Sequence, residues 1–92
     1  MKLEILTPDA KLFEGDASYL QVPGIDGQMG VLDNHAPLIT SLGKGSIRIK
    51  SNEKPTEILE ARLSEASDCD YAFNVNGGTV EILNNTVVIL AE

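Results

Sequence analysis

Residues 71–91 read YAFNVNGGTVEILNNTVVILA, and the way this stretch is punctuated decides the fold class. Runs of β-branched and apolar residues at 71–75, 79–83 and 86–91 are separated by Asn76-Gly77-Gly78 and by Asn84-Asn85. Asn and Gly tolerate the positive φ of tight turns, so the breaks read as turns and the runs as short strands. The same rhythm holds at the other end of the chain. Leu3 and Ile5 alternate with Lys2 and Glu4 up to a turn at Thr7-Pro8-Asp9. Leu12 and Phe13 begin a run that Glu14-Gly15-Asp16 interrupts, and an isolated glycine there is a cue for a bulge or corner. The run resumes at 18–22 and closes at Pro23-Gly24. IDGQMG at 25–30 reads as a turn-rich loop leading into a short strand at 29–32.

The middle of the chain, GVLDNHAPLITSLGKGSIRI at 30–49, is the most detailed stretch. It holds a turn at Asp33-Asn34, a lone histidine before Ala36-Pro37, and an apolar run at 38–42. Gly43-Lys44-Gly45 then reads as a hairpin into an alternating strand at 46–50. Short strands with frequent turns predict an all-β chain, a flattened antiparallel β-sandwich or barrel of about 8–10 short strands. A chain of 92 residues has core enough for one domain, 1–92, and no second.

The net charge of −7 argues against nucleic acid or anionic lipid as a direct partner, since both are polyanions. Much of that charge lies in 51–70, where Glu53, Glu57, Glu60, Glu65, Asp68 and Asp70 meet only Lys54 and Arg62. A solvated face is its expected use. Inside this acidic insert, 57–66 (EILEARLSEA) reads two ways. Leu59, Leu63 and Ala66 fall at helical spacing, whereas Leu59, Ala61 and Leu63 alternate as in a strand. The insert is therefore expected to be a strand or a short helix. Cys69 is the only cysteine and can form no intrachain disulfide. No signal-peptide pattern and no membrane-length apolar run is present, which leads to the expectation of a soluble, cytosolic chain.

Two runs, Leu38-Ile39 and 87–90 (VVIL), are apolar on both faces, where a half-solvated strand should alternate. The outward residues need a cover, either the 57–66 segment or a second protein. Candidates for chemistry are thin. A Ser–His–Asp set built from His35, Asp33 and Ser41 or Ser46 lacks any nucleophile elbow. One His and one Cys among scattered carboxylates show no metal-ligand spacing. Gly43-Lys44-Gly45-Ser46 has the wrong order for a phosphate loop and precedes a strand. No catalytic, cofactor-binding or metal residue is expected. Lys44 at a hairpin tip motivates an alternative, a lipoyl- or biotin-carrier-like domain, and a free-standing small-ligand sandwich is a further one.

With these pieces in order, the chain resembles the N-terminal β-sandwich domain of the ATP synthase epsilon subunit family. The resemblance runs through LEILTPDAKLFEGDASYLQVPGIDGQMGVLDNHAPLITSLGKGSIRI at 3–49 and FNVNGGTVEILNNTVVILAE at 73–92. Its marks are Gly27-x-x-Gly30, His35-Ala36-Pro37-Leu38 and Gly77-Gly78, in family order. It implies a non-catalytic central-stalk (rotor) subunit of a proton-translocating ATP synthase, joining the gamma subunit to the c-ring. By match to the family, Leu12, Pro37, Ile39 and Ser46 would face gamma. Gln28 and His35, in two loops, would meet the polar loops of the c-ring. Membrane contact would come only through the complex, on its cytoplasmic side. Several family members carry an acidic residue where Gln28 stands, and the link at 51–70 is longer than usual. Family members usually continue into regulatory helices. If the chain ends at Glu92, a short form without a C-terminal helical domain is expected, able to couple but not to inhibit through those helices.

Overall fold

Alternating runs become strands because each can bury one row of aliphatic side chains while water takes the other. The computed structural model describes residues 1–92. In chain order the strands are β1 (Lys2–Leu6), β2 (Lys11–Asp16), β3 (Tyr19–Gly24), β4 (Gly27–Val31), β5 (Leu38–Leu42), β6 (Gly45–Lys50), β7 (Tyr71–Val75), β8 (Gly78–Leu83) and β9 (Thr86–Ala91). One helical turn, α1 (Glu57–Glu60), lies between β6 and β7. The hydrogen-bonded order is β2-β1-β9-β8-β5-β3-β6-β7, with β4 on the side of β3.

β3 meets β5 at a single residue pair, Gly24 with Leu42. There the sheet folds over into two layers, β2-β1-β9-β8-β5 and β4-β3-β6-β7. Leu3, Ile5, Val80, Ile82, Val87 and Ile89 enter the core from the first layer. Leu20, Val22, Ile47, Ile49 and Phe73 enter it from the second. Each such side chain contributes about 1.5–3 kcal/mol on burial. β1 and β9 run parallel, against the antiparallel expectation, while the other pairs are antiparallel. The first and last strands share no short connection, so no hairpin fixes their relative direction.

Four local expectations change. Gly43-Lys44-Gly45 is no hairpin: β5 pairs with β8, and β6 pairs with β3 and β7. It is a corner between layers, tied down by the Gly43 N–H donating to Pro23 O at 2.7 Å. Gly45 fits it because a Cβ there would stand 2.7 Å from Pro23 Cβ. Gly15 is neither bulge nor corner, since it pairs in register with Leu3. The register shift falls at Ile5/Leu6, and the chain leaves the first layer at Ala17-Ser18. The loop expected at 25–30 shrinks to a turn at Ile25-Asp26, because Gly24 pairs with Gly27 and β4 starts there.

The fourth change concerns the insert, which takes both of its readings in succession. β6 and β7 are an antiparallel pair, so 51–70 is the long loop of a hairpin. It first crosses β2, where the Thr56 N–H donates to Leu12 O at 3.2 Å and the Thr56 hydroxyl donates to the same oxygen at 2.9 Å. That hydroxyl also accepts from Leu59 N, capping α1 and lowering Leu59 into the core. The chain then straightens, and Leu63 bridges Phe73 while the Ser64 N–H donates to Ala72 O at 2.7 Å. β2 and β7 are the two ends of the strand order. The insert straps them together.

Candidate functional site

The outer face of the first layer divides into two zones. Pairing sets Glu4, Val88, Glu81 and Ile39 in one row across β1, β9, β8 and β5. A second row holds Leu6, Leu90, Thr79 and Ser41, and a third holds Lys2, Thr86 and Leu83. Toward β2 the face is ionic. Lys11 Nζ lies 2.9 Å from Glu14 Oε1 and 3.6 Å from Glu4 Oε2. The hydrogen bond from Lys11 holds the Glu14 carboxyl below the usual carboxylate range. Toward β5 the face carries its bare aliphatic side chains, with Ile39 72% exposed and Leu83 and Leu90 each 51% exposed, standing around Glu81, Thr79 and Ser41. A groove of about 430 Å³ continues it past Leu6, Pro8 and Leu90. Nothing in the chain covers this wall.

The family-matched gamma residues do not share a surface. Pro37 is exposed immediately before β5, and Ile39 stands on the wall itself. Leu12 is a correction: it is completely buried, because the strap and Leu59 lie over β2. Ser46 is half-buried and shares its outward side of β6 with Arg48, on the second layer, facing away from Ile39. Gln28 is exposed in β4 rather than in a loop. His35 follows the far end of that strand, so the two flank one edge. Leu83 was not singled out from the sequence. Its parity with Glu81 and Thr79 along β8 is the signal that marks it as outward.

His35 and Asp33 are engaged with neighbours other than a serine. His35 Nδ1 donates to Ala36 O at 2.7 Å. The Asp33 carboxylate accepts from the Met1 α-ammonium, and this hydrogen bond holds its pKa below the ordinary value. The loop at 32–37 is pinned further by the Asn34 N–H donating to Asn85 Oδ1 at 2.8 Å. Lys44 is exposed on an interlayer corner, so the hairpin tip that motivated a carrier domain does not exist.

The chain is a two-layer β-sandwich with a closed core, a strapped seam and bare aliphatic side chains on one outer face. The sequence profile described as "ATP synthase, Delta/Epsilon chain, beta-sandwich domain" matches residues 1–92, and this chain belongs to that family. An ATP synthase epsilon chain of Pelotomaculum thermopropionicum is 41% identical over 90 residues, covering 98% of this chain and 56% of that one. One from Lactiplantibacillus plantarum is 38% identical over 92 residues, covering 100% of this chain and 56% of that one. This chain thus spans a little over half the length of these relatives. The fold superposes on a chain of the Tetrahymena thermophila mitochondrial ATP synthase central stalk and c-ring with a TM-score of 0.73, at 17% identity. That match covers 98% of this chain and 61% of the other, and at such identity it speaks for the fold.

Proposed function

We propose that this chain acts as a non-catalytic rotor subunit of a proton-translocating ATP synthase, joining the gamma subunit to the c-ring on the cytoplasmic side of the membrane. The observation that carries the reading is the exposed wall of Ile39, Leu83 and Leu90 on a domain whose core closes without it. Several large aliphatic side chains left bare on one sheet face, here around Glu81, are what a covering protein would bury. Pro37 and Ile39, with Leu83 and Leu90 beside them, form the gamma contact. Leu12 is removed from that contact, and Ser46, on the opposite layer, serves a different neighbour. Gln28 and His35 meet the c-ring from the two ends of β4. No helix is long and apolar enough to cross a membrane. Membrane attachment in this reading comes through the complex.

The mechanical logic is simple. The rotating shaft must turn with the ring without slipping, and a small stiff sandwich between them supplies contact area with no chemistry of its own. Obligate contacts bury on the order of 2,000 Å² or more, which a domain this small reaches by being clamped on two sides. A tagged chain pulled from energy-transducing membranes is expected to bring ATP synthase subunits with it. Ile39→Asp is expected to reduce recovered gamma at least about tenfold, the effect of about 1.4 kcal/mol. Unchanged recovery contradicts the contact, and a pull-down without ATP synthase subunits contradicts the whole reading.

A further inference from the structure

The two layers end in four edge strands: the chain covers β2 and β7, and closes β5 only at its Leu42 end, against Gly24. On β2, Thr56 donates to Leu12 O from its N–H at 3.2 Å and from its hydroxyl at 2.9 Å. On β7, the Ser64 N–H donates to Ala72 O and Leu63 bridges Phe73. The fourth edge, β4, pairs with β3 alone. Its sequence, GQMGV, carries none of the devices that blunt an exposed edge: no charge, no proline, and no break in register.

The register also shows which groups of β4 are unspent. Antiparallel pairs alternate between exchanging both backbone hydrogen bonds and exchanging neither. Pro23 has no N–H, and its carbonyl accepts from Gly43 on the other side of β3, so its pairing with Gln28 is of the second kind. Gln21 with Gly30 has the same parity. Gln28 and Gly30 therefore aim their N–H and C=O groups outward, along the free edge.

We infer that β4 is completed by strand addition from an extended segment of a neighbouring rotor protein, an inference that rests on the function proposed above. Charge selects the occupant. β4 itself is neutral, with Asp26 exposed beyond one end and Asp33 beyond the other. Asp33 is already paired with the Met1 α-ammonium, so against a second copy stand the unpaired Asp26 of each chain and the mutual repulsion of bodies that each carry −7. The segment that fits is neutral over its middle and carries Lys or Arg beside Asp26. Recognition runs through backbone groups, so Gln28 needs no acidic side chain to take part.

Amide hydrogen exchange tests this. Exchange is run on the free chain and on the chain within assembled ATP synthase, quenched, and read at Gln28 and Gly30 after release. Assembly is expected to slow both amides at least about a hundredfold. Unslowed amides in a chain that does assemble overturn strand addition and leave the proposed function standing; failure to assemble overturns both. Protection in the free chain that grows with its concentration identifies a second copy and also overturns the inference. Gln28→Pro removes one outward N–H at a position where an edge strand tolerates proline. It is expected to weaken assembly at least about tenfold more than Gln28→Ala does. Equal losses assign the contact to the side chain and overturn it.

Discussion

Leu12-Phe13 and Leu38-Ile39 are the same kind of dipeptide, yet Leu12 and Phe13 are both fully buried while Ile39 is 72% exposed. A doubly apolar pair states that both faces of a strand want cover, and only the three-dimensional path of 51–64 decides which face the chain covers itself. This is why Leu12 could not be separated from Ile39 in the sequence. Backbone demands are more legible, because Gly and Asn announce them. Asn84 and Asn85 adopt φ of 53° and 58° in the β8–β9 hairpin, the turn their identity predicts. Gly78 is stricter: its φ is +139°, and a Cβ there would stand 2.1 Å from Leu90 O. Gly78→Ala is expected to cost about 2–4 kcal/mol in urea unfolding, from backbone strain and displacement of β9. Asp33 gives a pH signature. Its folded pKa is depressed by the hydrogen bond from the Met1 α-ammonium, so its contribution is fully present above the ordinary carboxylate range. That contribution is lost as pH falls through the folded pKa. The stability gap between the chain and its Asp33→Asn variant should stay constant at neutral pH and close in acid, as measured by denaturation across pH.

At the scale of elements, alternation located nearly every strand, and residues 71–91 divided into β7, β8 and β9 almost as read. Pairing was not legible. Gly43-Lys44-Gly45 has the composition of a hairpin, but Pro23 O takes the Gly43 amide and β3 lies between β5 and β6 in the strand order. Such contacts join residues far apart in the chain, and a local pattern cannot carry them. The insert held two periodicities because it performs two tasks. α1 lowers Leu59 into the core over β2, and Leu63 then continues as a bridge on β7. Leu59→Ala is expected to destabilise the chain by about 2–5 kcal/mol, the cost of a buried cavity. Thr56→Ala, which removes the cap of α1, should cost about 1 kcal/mol. In both variants the amides of 51–64 should exchange faster than those of β8 and β9, because the seam opens before the sheets do.

For the whole molecule, the wall of bare aliphatic side chains contributes little to the fold, since Ile39, Leu83 and Leu90 point away from a core that closes without them. Ile39→Asp should therefore cost the isolated chain no more than about 1 kcal/mol, the repulsion from Glu81 directly opposite on β8. A larger loss would mean that the wall supports the sheet rather than a partner. The family relation was legible in the ordered motifs, whereas the extent of the wall emerged only when β8 and β9 fell into register beside β5. The most direct test of the account is solvent accessibility of that wall, read by hydroxyl-radical labelling of Ile39, Leu83 and Leu90. In the free chain all three should label readily, and within assembled ATP synthase their labelling should fall at least about fivefold, as burial under a tight interface requires. Equal labelling in both states would contradict it.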